Sequence, residues 1–268
     1  MKKIPLEERY ETLLISREGR KLTITMNRPD SLNAADAVMH EELAHVFYDV
    51  AMDPDSDVIV LTGAGRAFSA GGDIPWMQDA IANPEMFETT AREAKRIAFS
   101  MLELEKPIIA RVNGHATGLG ATLALLCDVV FAADTAKIGD PHVSIGFVAG
   151  DGGPAIWPQL IGFARAKEYL MTGRLIPATR AAAMGLINHA VPPDELDRAV
   201  DEFAQELLGG ATKAIRWSKV TTNIELKRIF TAYMDAGVAY EALSNVSPDH
   251  LEAVEAFRAK RKPQFRAS

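Results

Sequence analysis

The chain has 268 residues, 48 % hydrophobic and 24 % charged. That is the make-up of a folded globular protein, not of a disordered chain, which lacks the apolar surface to offset its ordering entropy. With 29 Lys and Arg against 36 Asp and Glu, the net charge of -7 argues against a phosphate-tracking nucleic-acid binder. The single cysteine, Cys127, excludes an intramolecular disulfide and a Cys-rich metal site and suits a reducing compartment.

Residues 1–8 carry early charge and no apolar run, so no secretion signal is expected. The longest apolar stretches, such as residues 121–127, are too short to cross a bilayer. A cytoplasmic protein with no membrane partner is expected. Residues 13–16 and 21–26 flank a turn at Glu18-Gly19 and read as a hairpin. Asn27-Arg28-Pro29 breaks the second strand. Apolar residues at Val38, Leu43, Val46, Phe47 and Val50 have helical spacing over residues 34–50. Residues 58–63, 107–114 and 128–133 are short apolar runs, the signature of strands buried on both faces. Residues 87–103 and 119–126 between them read as helices. Strand, loop and helix recur with glycine at strand exits, which is an α/β organisation.

After about residue 160 no further strand is expected. Residues 164–171, 178–184, 194–208, 213–223, 226–244 and 249–258 all read helical. Gly185 suits the end of the 178–184 helix.

Three glycine-rich loops follow buried strands: residues 63–73, 113–120 and 150–154. In the second, Gly118 precedes the helix from Leu119. Free N–H groups at a helix start, aided by the helix dipole, favour negative charge and can hold an oxyanion. No Walker A motif is present, and no clean G-x-G-x-x-G follows a strand.

Two of these loops belong to a larger pattern. Its parts are Met26-Asn27-Arg28-Pro29 with Asn33-Ala34, Ala67-Phe68-Ser69-Ala70-Gly71-Gly72-Asp73, and residues 106–118 ending in Asn113-Gly114-His115-Ala116-Thr117-Gly118. Cys127-Asp128 follows, then Leu170-Met171-Thr172-Gly173 to Ala183-Met184-Gly185-Leu186-Ile187-Asn188, and finally residues 256–265. Six motifs in this order, spanning about residues 11–265, resemble the enoyl-CoA hydratase/isomerase (crotonase) superfamily.

The resemblance implies an α/β spiral of ββα turns over residues 1–200 and a helical oligomerisation region over residues 201–268. It implies a homotrimer or dimer of trimers. It also implies an acyl-CoA substrate, with coenzyme A as part of the substrate and no separate cofactor or metal. By position, the N–H groups of Gly72 and Leu119 form the oxyanion hole. Ala70, Asp73 and Lys260 fall where relatives hold substrate or CoA.

The chain departs from that pattern at both usual glutamates. Thr122 stands at the first position and cannot ionise near neutral pH. His142, in Gly139-Asp140-Pro141-His142, stands at the second. Histidine titrates near physiological pH and can serve as a general base, but it needs a carboxylate to fix its tautomer. Asp151 is the expected partner. Asp140, two residues away across a proline, is expected to point elsewhere. The segment from Pro141-His142 to Gly150-Asp151-Gly152 also resembles the β-diketone hydrolases of the superfamily, typified by 6-oxocamphor hydrolase. His40, His45, His115, His189 and His250 read as surface or packing residues, and Cys127 as buried and inert.

Three functions follow as expectations. The first is an acyl-CoA enzyme in which a His142/Asp151 pair activates water or moves a proton. The second is a retro-Claisen hydrolase of a CoA-free β-diketone. The third is a non-catalytic binding protein, including an RNA-binding role, against which the net charge and the His/Asp pair both count.

Overall fold

The computed structural model describes residues 5–265, so the residues 1–4 read above for a signal lie outside it. The expected hairpin is β1 (Leu13–Glu18) and β2 (Lys21–Met26), antiparallel with Leu13 opposite Met26. Helix α1 (Ala37–Ala51) follows, its first turn capped by Asp36, whose side chain accepts from the Met39 N–H at 2.9 Å. Met39, Leu43, Val46, Phe47 and Val50 form its buried stripe.

Then a unit repeats. Strand β3 (Val58–Gly63) leads to β4 (Ala67–Ser69), α2 (Ile74–Ala82) and α3 (Met86–Glu103). Strand β5 (Ile108–Val112) leads to β6 (His115–Thr117) and α4 (Leu119–Leu126). Strand β7 (Val129–Ala133) leads to β8 (Lys137–Gly139) and α5 (Gly153–Thr172). The first strand of each unit joins one sheet and the second strand joins another. The sheets have the orders β1-β2-β3-β5-β7-β10 and β4-β6-β8-β9. The β3–β5 and β5–β7 pairs are parallel, which explains their continuous apolar sequence. This is the expected α/β spiral of ββα turns.

The chain closes with β9 (Ile176–Pro177), α6 (Ala178–Ala183), β10 (His189–Val191), α7 (Leu196–Gly209), α8 (Thr212–Asn245) and α9 (Pro248–Arg258). The expectation of no strand beyond residue 160 is therefore corrected. Strands of two and three residues are too short to show alternation, and their pairing to β8 and β7 is set by tertiary contact. The break expected between residues 223 and 226 is absent. Asn223 stays in α8, and its Nδ2 donates to the Leu102 carbonyl of α3 at 3.1 Å. Gly185 follows α6 with φ +84°, as its position required. One buried apolar cluster runs from Leu6 to Val238, so α8 packs into the same core as the spiral. Cys127 is buried between α4 and β7, and burial raises its thiol well above the usual range.

Candidate active site

A cavity lies where α4, α2, α3 and the loop after β8 meet. Trp76, Met77 and Ala80 of α2 and Phe87, Ala91 and Ala94 of α3 make its apolar side. Gly72, Leu119, His142, Asp151, Glu241 and Asn245 make the other. An apolar pocket with a few convergent polar groups is the form expected of a small-molecule site.

The two backbone donors read from sequence meet there. The parallel bridge between Ala35 and Gly72 uses the Gly71 carbonyl and the Asp73 N–H. The Gly72 N–H is left with no acceptor among the described residues, and so is that of Leu119, the first residue of α4. Gly118 turns the chain into the helix at φ +54°. A side chain there would be strained, and its Cβ would sit 3.4 Å from Cε1 and 3.7 Å from Nε2 of His142. The imidazole thus lies beside the turn that presents the Leu119 N–H.

His142 opens a 3-10 turn, His142–Ile145, and is buried. Its Nδ1 hydrogen-bonds to the Asp140 carboxylate. The sequence expectation is corrected here: Asp140, not Asp151, orients the imidazole. Pro141 has φ -87° and ψ 16°, which turns the chain so that residues 140 and 142 face each other. Asp151 Oδ1 instead accepts from Thr122 Oγ1 at 3.2 Å. The residue in place of the usual glutamate therefore holds the second aspartate. Asp151 Oδ2 has no partner among the described residues.

Burial disfavours the His142 imidazolium. Asp140 outweighs burial through its charge and hydrogen bond, with Asp151 and Glu241 adding to it, and the pKa is pushed up to about 10. The Asp151 carboxyl is raised by burial and by Asp140, against the lowering charge of His142. Glu241, from α8, is raised well above the usual range by burial and then by Asp151. Two further carboxyl groups, both raised by burial, therefore face one His–Asp pair. Ligating atoms of Asp140, His142 and Asp151 lie within 4.8 Å of one another. The direct Asp140–His142 bond fills the space an ion would need between them, so the cluster fits a proton network better than a metal.

Sequence reasoning missed Glu241, which no local motif marks. It also missed the place of His40, whose Nδ1 pairs with Glu93 at 2.6 Å and which lines the cavity beside Trp76. The remaining sequence-derived positions lie outside the lining. Ala70 is exposed on the loop before α2, its N–H donating to the Leu32 carbonyl at 3.0 Å. Asp73 accepts from Arg28 at 2.9 Å. Lys260 is exposed just after α9, with φ +51°.

The family model for enoyl-CoA hydratase/isomerase matches residues 18–268. The chain is 35 % identical over 261 residues to a probable enoyl-CoA hydratase of Mycobacterium tuberculosis, covering 96 % of this chain and 98 % of that one. It superposes on an enoyl-CoA hydratase/isomerase of Mycobacterium paratuberculosis with TM-score 0.89 and 38 % identity, covering 92 % and 99 %. It also superposes on a β-diketone hydrolase of the cyanobacterium Anabaena, at TM-score 0.84 and 29 % identity, covering 92 % and 98 %.

Proposed function

The chain belongs to the enoyl-CoA hydratase/isomerase family, and from that premise we propose an enzyme that activates water or moves a proton on an acyl-CoA thioester with His142 as its base. The observation that carries this reading is the Asp140–His142 hydrogen bond beside the turn that presents the Leu119 N–H. A thioester oxygen between the Gly72 and Leu119 N–H groups would develop negative charge as an enolate or tetrahedral intermediate forms. Two fixed donors in a cavity lined largely by apolar side chains favour that charge.

His142 takes a proton from water, and Asp140 stabilises the imidazolium that results. Asp151, with one oxygen unpartnered, can accept a hydrogen bond from that water. In hydration of an enoyl thioester, hydroxide adds at the β-carbon and the enolate then takes a proton at the α-carbon. His142 can return that proton, or Glu241, whose carboxyl burial raises well above the usual range, can supply it instead. Coenzyme A enters as part of the substrate, and no separate cofactor is called for. Lys260 and the Ala70 carbonyl are the proposed contacts to its nucleotide.

The second reading is cleavage of a CoA-free β-diketone. The similarity to the Anabaena β-diketone hydrolase supports it, as does the loss of both usual glutamates. The same base would then drive water into a carbonyl and break a carbon–carbon bond.

We also propose residues 201–268 as the oligomerisation region of a homotrimer or a dimer of trimers. Exposed Trp217, Ile224, Tyr240 and Leu243 on α8 support it. The single, buried cysteine favours a cytoplasmic setting. No helix among the described residues is long and apolar enough to cross a membrane.

A thermal-shift measurement with CoA and acetyl-CoA tests the main reading. A ligand at about 100 times its Kd that binds only the folded state adds roughly 2.7 kcal/mol. A clear rise supports thioester binding. No rise, in folded oligomeric protein, moves the assignment to the β-diketone.

A further inference from the structure

We propose that His250, on the C-terminal helix α9, is a positioning residue that holds the turn carrying His142 in its productive geometry. His250 is fully buried. Its Nδ1 lies 2.7 Å from the Ile145 carbonyl, the last residue of the His142–Ile145 turn. Its ring stacks on Phe147 with centroids 4.6 Å apart and planes 24° apart. Phe147 in turn lies 5.8 Å from the His142 ring, and its N–H donates to the His142 carbonyl at 3.0 Å. One side chain of α9 thus grips the catalytic turn at its far end and, through Phe147, from the side.

The backbone leaves little room for slack. Gly146 ends the turn at φ +63°, and a Cβ there would meet the Asp249 carbonyl carbon at 2.6 Å and the His250 nitrogen at 2.7 Å. The first turn of α9 lies directly on the loop. Ser247 caps that turn by accepting from the His250 N–H at 3.2 Å. Asn245, just before it, donates to the Ala80 carbonyl of α2 at 2.9 Å and lines the cavity.

Burial, set against the Ile145 hydrogen bond and reinforced by the charge of His142, holds His250 below the ordinary histidine range. It is therefore neutral near pH 7 and donates its Nδ1 proton. The bare Nε2 has no partner among the described residues. The charged or titratable groups that face His142 are Asp140 on its own loop, Asp151 before α5 and Glu241 on α8. None of them explains a buried histidine on α9 bonded to the turn.

The test follows the His142 ring by NMR in the assembled protein with 13Cε1-labelled histidine, assigning its signal with His142→Ala. No substrate is needed, so a failure of the thioester reading leaves this test intact. His250→Phe keeps an aromatic face but loses the donor, and the His142 titration should fall by about one pH unit or more as its hold on Asp140 loosens. His250→Asn places a donor where Nδ1 was and should restore the wild-type titration to within about 0.3. Phe147→Leu keeps the Ile145 bond, removes the stack, and should give an intermediate fall. A lowered Tm with unchanged His142 titration in all three overturns the proposal, as does an equal shift in His250→Asn and His250→Phe. Should His250→Phe not fold, a shift above one pH unit in His250→Asn, or none in Phe147→Leu, overturns it.

Discussion

His142 and Asp140 are hydrogen-bonded through Nδ1 and a carboxylate oxygen, although only one residue, Pro141, separates them. The bond leaves Nε2 as the nitrogen available to a proton in transfer. It also makes Asp140 the group that answers the charge formed on the ring.

Asp140→Asn should reduce turnover by about 10³-fold or more, because the amide cannot stabilise the imidazolium and can select the wrong tautomer. Substrate binding should change little. Asp151→Asn should also lower turnover, since Asp151 lines the cavity, but should move the pH profile less. Steady-state kinetics on both variants, with KM and kcat separated, checks this. Equal rates in Asp140→Asn and wild type would remove Asp140 from the mechanism.

The pH dependence has a definite sign. The His142 pKa is raised from 6.5 to about 10, so the free base grows with pH, and kcat should rise from pH 7 toward alkaline values. Stability moves the other way. A raised pKa means that the protonated ring favours the folded state. That contribution is fully present below about pH 6.5 and is lost as pH rises through about 10. In Asp140→Asn the kinetic midpoint should fall toward the ordinary histidine range. Rate profiles and thermal melts over pH 6–10 read both effects.

Glu241→Gln should stabilise the protein at alkaline pH while lowering its activity. The buried acid has a raised pKa, so wild type loses stability as pH climbs and the group is forced to ionise. The amide avoids that cost. A gain of about 1 kcal/mol corresponds to a Tm rise of roughly 2–4 °C, larger at pH 9 than at pH 5. A Tm difference independent of pH would contradict a raised Glu241 pKa.

Thr122→Glu restores the carboxylate usual in the family, yet it should not yield an ordinary hydratase. Thr122 donates to Asp151 in a buried site, and a second carboxylate there repels the first. The substitution should lower Tm by several degrees and reduce turnover. Thermal melts and a hydration assay decide it.

The β3, β5 and β7 runs were legible because a strand buried on both faces is apolar at every position. The hairpin was legible from Glu18-Gly19. Gly72 and Leu119 were singled out from the glycine loops through the family resemblance, and both line the cavity. Strands β9 and β10 were not legible, because two or three residues carry no period. The continuity of α8 past Asn223 was hidden for a different reason, since its bond to Leu102 is a tertiary contact. In the site, His142 was found by position in the family pattern, but its partner was assigned wrongly. The Pro141 dihedrals that bring Asp140 onto the ring are not written in residue type. Glu241 and His250 reach the site from helices about 100 residues further along the chain, and only packing brings them there.

The most direct test of the central claim is turnover by wild type and His142→Ala on an enoyl-CoA, a β-ketoacyl-CoA and a cyclic β-diketone, with CoA binding to both proteins followed by thermal shift. The account predicts that wild type converts a CoA thioester. It predicts that His142→Ala loses at least about 10³-fold of that rate and still binds CoA as wild type does. Unchanged turnover in His142→Ala, or conversion of the diketone alone, would contradict it.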